Sequence, residues 1–241
     1  MKKYKLFAMG LAMAGALSFT SCAEDYLDTA PTDAVSNVTI GQNMESLYLG
    51  LNGIHRQMIS QESGYQCMGG LGGMMYIMDI EADDITWITN TWMKAAYLGW
   101  QCNTNESNGY NTVFWRLYYQ WIMNANGLLE VLENTDVAAL SGSDKALYEQ
   151  IKGEALMFRA FSHFQAVQTY ADAYKAGGGN SQPGVPYRTV ANRNEGELAR
   201  STVEETYSLI NADLAEACSL LEGKKITELN HWSAKSAYAV R

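Results

Sequence analysis

Apolar and polar positions recur at helical spacing along most of this chain, most densely over 151–174, IKGEALMFRAFSHFQAVQTYADAY. At 100° per residue, Leu147, Ile151, Ala155, Phe158 and Phe161 fall on one stripe. Leu156, Ala160, Phe164, Val167 and Tyr170 cover much of the opposite side. A helix that is apolar on two sides is buried between neighbours, so this stretch is predicted to be a central helix. Phe158 and Phe164 are expected to be buried on opposite faces. Arg159, His163, Gln165 and Gln168 are then buried or half-buried and need partners. The following GGGNSQPGVPYRT cannot continue a helix.

The remaining segments fall around this one. Thr39-x-x-Gln42 reads as a capping box. It opens a helix that places Met44, Leu47, Tyr48, Leu51, Ile54 and Met58 on one face. The pattern breaks from Ser60 to Gly73, and the run Met68-Gly69-Gly70-Leu71-Gly72-Gly73 is expected to end any regular element. That run does not complete Gly-x-Gly-x-x-Gly and has no Lys-Ser/Thr after it, so a phosphate loop is not supported. A second helix is predicted from about Thr112 to Glu133. Phe114, Leu117, Trp121, Ala125, Leu128 and Leu132 form its stripe, with Trp115, Tyr118 and Ile122 alongside. The central helix is expected to be capped near Ser143. Ser201-x-x-Glu204 reads as a further capping box, ahead of the stripe Val203, Tyr207, Ile210, Leu214, Ala217 and Leu221. Gly223 stops that helix, and Lys224 and Lys225 favour its C-terminal end. From Trp232, SAKSAYAVR begins another helix. Capped helices in sequence predict a mainly α fold of antiparallel helical pairs.

Residues 61–109 stand apart as an insertion. They place Tyr65, Tyr76, Trp87, Trp92, Tyr97 and Trp100 among Gly, Asn and Thr. Loops of this length are functional or disordered as a rule, and this one is too aromatic for disorder. Asp79, Glu81, Asp83 and Asp84 lie at its centre. On a strand, alternate carboxylates would face one way, which raises a calcium site or a glycosidase pair. However, Asp84 stands where an EF-hand needs glycine, and Asn90 where it needs its bidentate Glu, so a solvated acidic strand end is expected instead. Trp87, Asn90, Trp92, Tyr97 and Trp100 are the candidate ligand residues. An aromatic ring stacks on the apolar C–H face of a sugar, and asparagine amides both donate to and accept from hydroxyls. A small core belonging to the insertion itself is the competing reading of those rings.

Composition and charge narrow the classes. Of the 241 residues 47% are apolar and 18% charged, which is enough for one large core and excludes a disordered acidic chain. The formal charge is −9, and it becomes −12 once Lys2, Lys3 and Lys5 are removed with the leader read below. So acidic a chain is a poor ligand for nucleic acid or anionic headgroups. Lys2, Lys3 and Lys5 form a positive n-region, and Leu6 to Phe19 an apolar h-region too short to span a bilayer. Phe19-Thr20-Ser21-Cys22 then reads as a lipobox. Residues 1–21 are accordingly expected to be a lipoprotein signal peptide, with Cys22 carrying the lipid; a plain signal peptide beside an incidental cysteine is the alternative. Residues 22–38 read as an extended tether and 39–241 as the helical domain. Cys67, Cys102 and Cys218 remain, an odd number that allows at most one disulfide. Cys67 and Cys102 could pair, and three unpaired thiols are an equal reading.

The motif Gly153-Glu154-Ala155-x-x-x-Arg159-Ala160-x-x-x-Phe164, with Tyr170 and then Gly184-Val185-Pro186-Tyr187-Arg188-Thr189, resembles the SusD/RagB family of outer-membrane nutrient-binding lipoproteins. Trp115-x-x-x-Tyr119 with Ile122, Asn124, Asn126 and Leu128 is similar to that family's helix of the same type. Glu24 and Asp25 after Cys22, then Tyr26-Leu27-Asp28 and Pro31-Thr32-Asp33, resemble its surface-export signal and N-terminal tether. The resemblance implies a scaffold of tetratricopeptide-like helical pairs with insertions that make the ligand face. It also implies a glycan or peptide ligand and a SusC-like TonB-dependent transporter as partner. Relatives of this kind run about twice as long, so the chain is expected to be incomplete at its C-terminus.

Three functions compete: a surface lipoprotein that hands a nutrient to a transporter, a helical scaffold that binds only protein partners, and an enzyme. The enzyme reading is weakest. There is no His-Glu-x-x-His, Gly-x-Ser-x-Gly or P-loop, and the three histidines, His55, His163 and His231, lie far from any cysteine or carboxylate pair in sequence. No cofactor is expected and no residue is assigned to a metal.

Overall fold

The computed structural model describes residues 43–61, 69–82, 107, 109–191 and 196–241. Six α-helices lie among them. They are α1 (Met44–Gln57), α2 (Gly70–Glu81), α3 (Gly109–Glu133), α4 (Gly142–Tyr170), α5 (Val203–Leu221) and α6 (Ala234–Val240). A 3-10 turn, Val137–Ala139, joins α3 to α4. Pairing between extended segments among the described residues is confined to two isolated bridges, Gln61 with Gly69 and Pro183 with Thr202. The fold is mainly α, as the spacing predicts. No helix among the described residues is long and apolar enough to cross a membrane.

α4 is the central helix, packed against α1, α3 and α5. Its cross-contacts fix the directions of its neighbours. Glu149, Lys152 and Arg159 meet Lys224, Glu216 and Asp213, so α5 descends as α4 ascends. Arg159 and Thr169 meet Asn126 and Tyr118, so α3 is antiparallel to α4 as well. Ile151, Ala155 and Phe158 are fully buried on one stripe, and Leu156, Ala160 and Val167 are buried on the other. Phe164 departs from expectation: it is half-buried and sits edge-on to Tyr207. Gln168 is exposed, because it lies on the narrow arc of α4 that no neighbour covers. All six predicted stripe residues of α3 are buried, Trp121, Ala125 and Leu132 completely.

Close approach of α5 to α4 requires Gly153. A Cβ there would stand 2.7 Å from Leu221 Cγ and 3.2 Å from Leu220 Cβ. On an open helix face, Gly→Ala stabilises by roughly 0.5–1 kcal/mol. Here overpacking of about 1–3 kcal/mol outweighs that gain. Gly153→Ala should therefore lower the urea midpoint, by a net cost of about 1 kcal/mol; a raised midpoint would show that the α4–α5 contact is loose.

The helix ends correct several expectations. α1 is capped by Asn43, whose Oδ1 accepts from Ser46 N at 2.8 Å. The predicted cap pair Thr39 and Gln42 lies outside the described residues, and the helix opens after it. The cap of α4 is Ser141, not Ser143, and Ser141 Oγ accepts from Asp144 N at 3.2 Å. The capping box of α5 is Thr202–Glu205 instead of Ser201–Glu204. Glu205 Oε2 accepts from Thr202 N at 2.8 Å, while Thr202 Oγ1 accepts from Glu205 N at 3.1 Å.

The largest correction is α2. The glycine run opens a helix instead of ending one. Gly70 has φ +52° and Leu71 N donates to Met58 O at 2.8 Å, folding the chain back onto the end of α1. A side chain at Gly70 would collide with the Met58 carbonyl. Met74, Ile77 and Ile80 then supply the buried face. Asp79 and Glu81 are thus on a helix and not on a strand, and two residues apart they face different ways. Asp83 and Asp84 lie outside the described residues.

Candidate functional site

The predicted ligand residues Trp87, Asn90, Trp92, Tyr97 and Trp100 lie outside the described residues, as do Cys22, Cys67 and Cys102. Cys218 is a buried thiol outside any disulfide. The structure therefore shows the scaffold that carries the insertion, with its departure at α2 and its return at α3. Near that return, Trp115 and Tyr119 form a half-buried shelf, their ring centroids 4.5 Å apart, with Tyr170 edge-on to Trp115 at 5.0 Å. The Tyr119 hydroxyl donates to Pro186 O at 2.8 Å. Burial raises the Tyr119 pKa, against the opposing pull of Arg188 and Arg200.

The segment 183–191 straps α3, α4 and α5 together. Asn126 Nδ2 donates to Arg188 O at 3.0 Å, and Glu130 Oε1 accepts from Ala191 N at 2.6 Å. On the other side, Gly184 N donates to Ser201 O and Ser201 N to Val185 O. Arg200 Nε donates to Gly184 O at 2.6 Å. The hydroxyl predicted to cap α5 thus belongs to a residue, Ser201, whose backbone holds the strap.

Beneath the strap lies the first of two buried polar clusters. Arg159 makes a two-pronged bond to Asp213, Nε to Oδ2 and one terminal nitrogen to Oδ1, both at 2.7 Å. Its other terminal nitrogen donates to Asn126 Oδ1 at 3.2 Å. The Tyr187 hydroxyl donates to Asp213 Oδ2 at 2.6 Å. Burial, the Asp213 charge and that bond together raise the Tyr187 pKa. His163 stacks on Tyr187 at 3.8 Å. Its Nε2 accepts from Arg188 N at 3.1 Å, which leaves Nδ1 to carry the proton and donate to Arg159 O at 2.8 Å. Burial holds the His163 pKa down at about 3, so the ring is neutral.

The second cluster surrounds Glu154, whose side chain is fully buried. His55 Nε2 lies 2.7 Å from Oε2, and His231 Nδ1 lies 3.0 Å from both carboxylate oxygens. Gln150 Nε2 donates to Oε1 at 2.9 Å and Trp232 N to Oε2 at 3.1 Å. Burial pushes the Glu154 pKa up, but the bonds from His231, His55 and Gln150 prevail and leave it lowered. For His231 burial pushes down, and Glu154 prevails to leave it raised. The sequence holds no signal for this cluster, since His55 and His231 stand 99 and 77 residues from Glu154. Only helical register, which puts Glu154 between two stripe positions, hinted at its burial.

Both clusters involve residues of the Gly-Glu-Ala-x-x-x-Arg motif, and both bind scaffold to scaffold. The comparisons agree with that emphasis on the fold. The SusD-like family described as starch-binding and associating with the outer membrane matches residues 25–241. A putative sugar binding protein from Bacteroides vulgatus superposes with a TM-score of 0.65 at 23% identity, over 81% of this chain and 40% of that one. A SusD-like carbohydrate binding protein from the same organism gives 0.64 at 20% identity, over 81% and 39%. A SusD superfamily protein from Bacteroides fragilis gives 0.63 at 21%, over 83% and 44%. The chain spans about two fifths of the length of these structures, and the likeness carries the fold. Among curated proteins none matches the chain.

Proposed function

This chain belongs to the SusD-like family, described as starch-binding and associating with the outer membrane, and from that premise we propose that it binds an oligo- or polysaccharide at the outer membrane and delivers it to a SusC-like TonB-dependent transporter. The observation that carries the reading is the family match over 25–241, on a helical scaffold that superposes on sugar-binding relatives. The lipid on Cys22 holds the protein to the membrane facing the cell exterior. The rings Trp87, Trp92, Tyr97 and Trp100, with Asn90, supply the ligand face. Binding rather than catalysis fits the described histidines, since all three are engaged in bonds within the scaffold.

The test is retardation of the protein in a native gel containing soluble amylopectin. Trp92→Ala and Trp100→Ala should lose retention while the melting temperature barely moves. If each substitution lowers stability by several degrees before retention changes, those rings are core. If wild type is not retarded by amylopectin or any other polysaccharide yet captures the transporter, the chain is a protein-binding scaffold. Cys22→Ala should move the protein from the detergent phase to the aqueous phase; persistence in detergent would place the lipid elsewhere.

A further inference from the structure

We propose that His55, Glu154 and His231 form a binding site for one divalent transition-metal ion, with zinc as the reference ion, that ties α1, α4 and the entry to α6 together. Three donor atoms from three distant segments converge here. His55 Nε2, His231 Nδ1 and a Glu154 oxygen all lie within 4.8 Å of one another. The three side chains are 3%, 2% and 0% exposed. His231 Nδ1 sits evenly across the mouth of the carboxylate, 3.0 Å from each oxygen, so an ion between them is offered both oxygens.

The surroundings are those of a supported site. Gln150 Nε2 and Trp232 N each donate to the carboxylate, the kind of support that orients metal ligands. The rings are fixed too: His55 packs edge-on to Phe158 at 4.6 Å, and His231 stacks on Tyr48 at 5.3 Å. Zinc bonds near 2.0–2.1 Å imply donors roughly 3.3 Å apart in a tetrahedral set. The His55 and His231 nitrogens stand 2.7 and 3.0 Å from the carboxylate, so each withdraws from it by a few tenths of an ångström to admit the ion, and the three donors already lie within 4.8 Å of one another. Each imidazole must present a lone pair, and the proton it now directs at Glu154 moves to its other ring nitrogen or leaves. Two imidazoles and one carboxylate suit zinc, copper or nickel, while magnesium and calcium prefer an all-oxygen set.

The experiment uses the full chain, stripped with chelator and titrated with zinc chloride. One equivalent should survive desalting, and the melting temperature should rise by several degrees; calcium and magnesium chlorides should produce no rise. Cobalt in place of zinc should give visible d–d bands without a thiolate charge-transfer band, which separates this site from one built on Cys67, Cys102 or Cys218. His55→Gln combined with His231→Gln should abolish the retained equivalent. No retained zinc in wild type, a thiolate band with cobalt, or full retention in the double variant would each overturn the proposal. The wild-type measurements decide it even if the double variant fails to fold, and glycan retention plays no part in the result.

Discussion

Asp213→Ala should cost about 3–5 kcal/mol, read as a fall in the urea midpoint at unchanged slope. The carboxylate is 11% exposed and takes two bonds from the Arg159 guanidinium and one from the Tyr187 hydroxyl. Truncation leaves Arg159 a largely buried cation without its carboxylate, facing only neutral groups such as the Asn126 amide and the Tyr187 hydroxyl, and leaves that hydroxyl without its acceptor. The cost therefore arises from uncompensated charge more than from the loss of an attraction. Replacing all the members together supplies the control. Arg159→Met, Asp213→Leu and Tyr187→Phe in one chain should recover most of the loss, because apolar groups of similar volume carry no desolvation penalty. A loss below about 1 kcal/mol for Asp213→Ala would mean that water reaches the pair as it reaches surface ion pairs.

Acid should destabilise the fold through His163 before the carboxylates titrate. Protonation at Nε2 would set an N–H against the Arg188 N–H that now donates to it. Burial opposes the added charge as well, and the folded-state pKa is about 3 against an ordinary 6.5. Below 6.5 the unfolded chain binds a proton that the folded one refuses, so stability falls as pH falls. The contribution is complete above 6.5 and is lost at about 1.4 kcal/mol per pH unit toward 3, on the order of 5 kcal/mol in all. Ordinary carboxylates remain ionised down to about pH 5, so the window between 6.5 and 5 isolates imidazole titration. There His163→Gln should flatten the stability curve relative to wild type, because the substitution leaves the Glu154 cluster, the same in both proteins, untouched. Parallel curves would mean that His163 is solvated and charges freely in the fold.

What could be read beforehand differs by element for physical reasons. The stripes of α3 and α5 were legible because one face of each is buried along its whole length, and the spacing of Phe114, Leu117 and Trp121 or Ile210, Leu214 and Ala217 records that directly. Caps slipped by one or two residues where neighbouring hydroxyls offered equivalent patterns. Ser201-x-x-Glu204 and Thr202-x-x-Glu205 are indistinguishable in sequence, and the strap decides between them by engaging the Ser201 backbone. α2 was hidden by its glycines, whose low helix propensity is overridden by the turn at Gly70 and the packing of Met74 and Ile77. Of the polar residues flagged in α4, Arg159 and His163 found the partners that burial demands, but their identity came from 54 residues away for Asp213 and 25 for Arg188. The Glu154 cluster was illegible for the same reason. The aromatic insertion remains a reading of residue type, since chemistry alone nominates its rings.

The strap over 183–191 bears on how the scaffold comes apart. Its bonds reach Tyr119, Asn126 and Glu130 on α3, His163 on α4, and the residues that enter α5. A loop fastened only at its ends would let α5 peel away while α3 and α4 stayed paired. Fastened to three helices, it makes detachment of any one of them a breach of the contacts of the other two. The three helices thus form one cooperative opening unit, whose amides share a single protection free energy and not three graded ones. A scaffold fastened in this way does not yield piecemeal when a load falls on any one of the three helices.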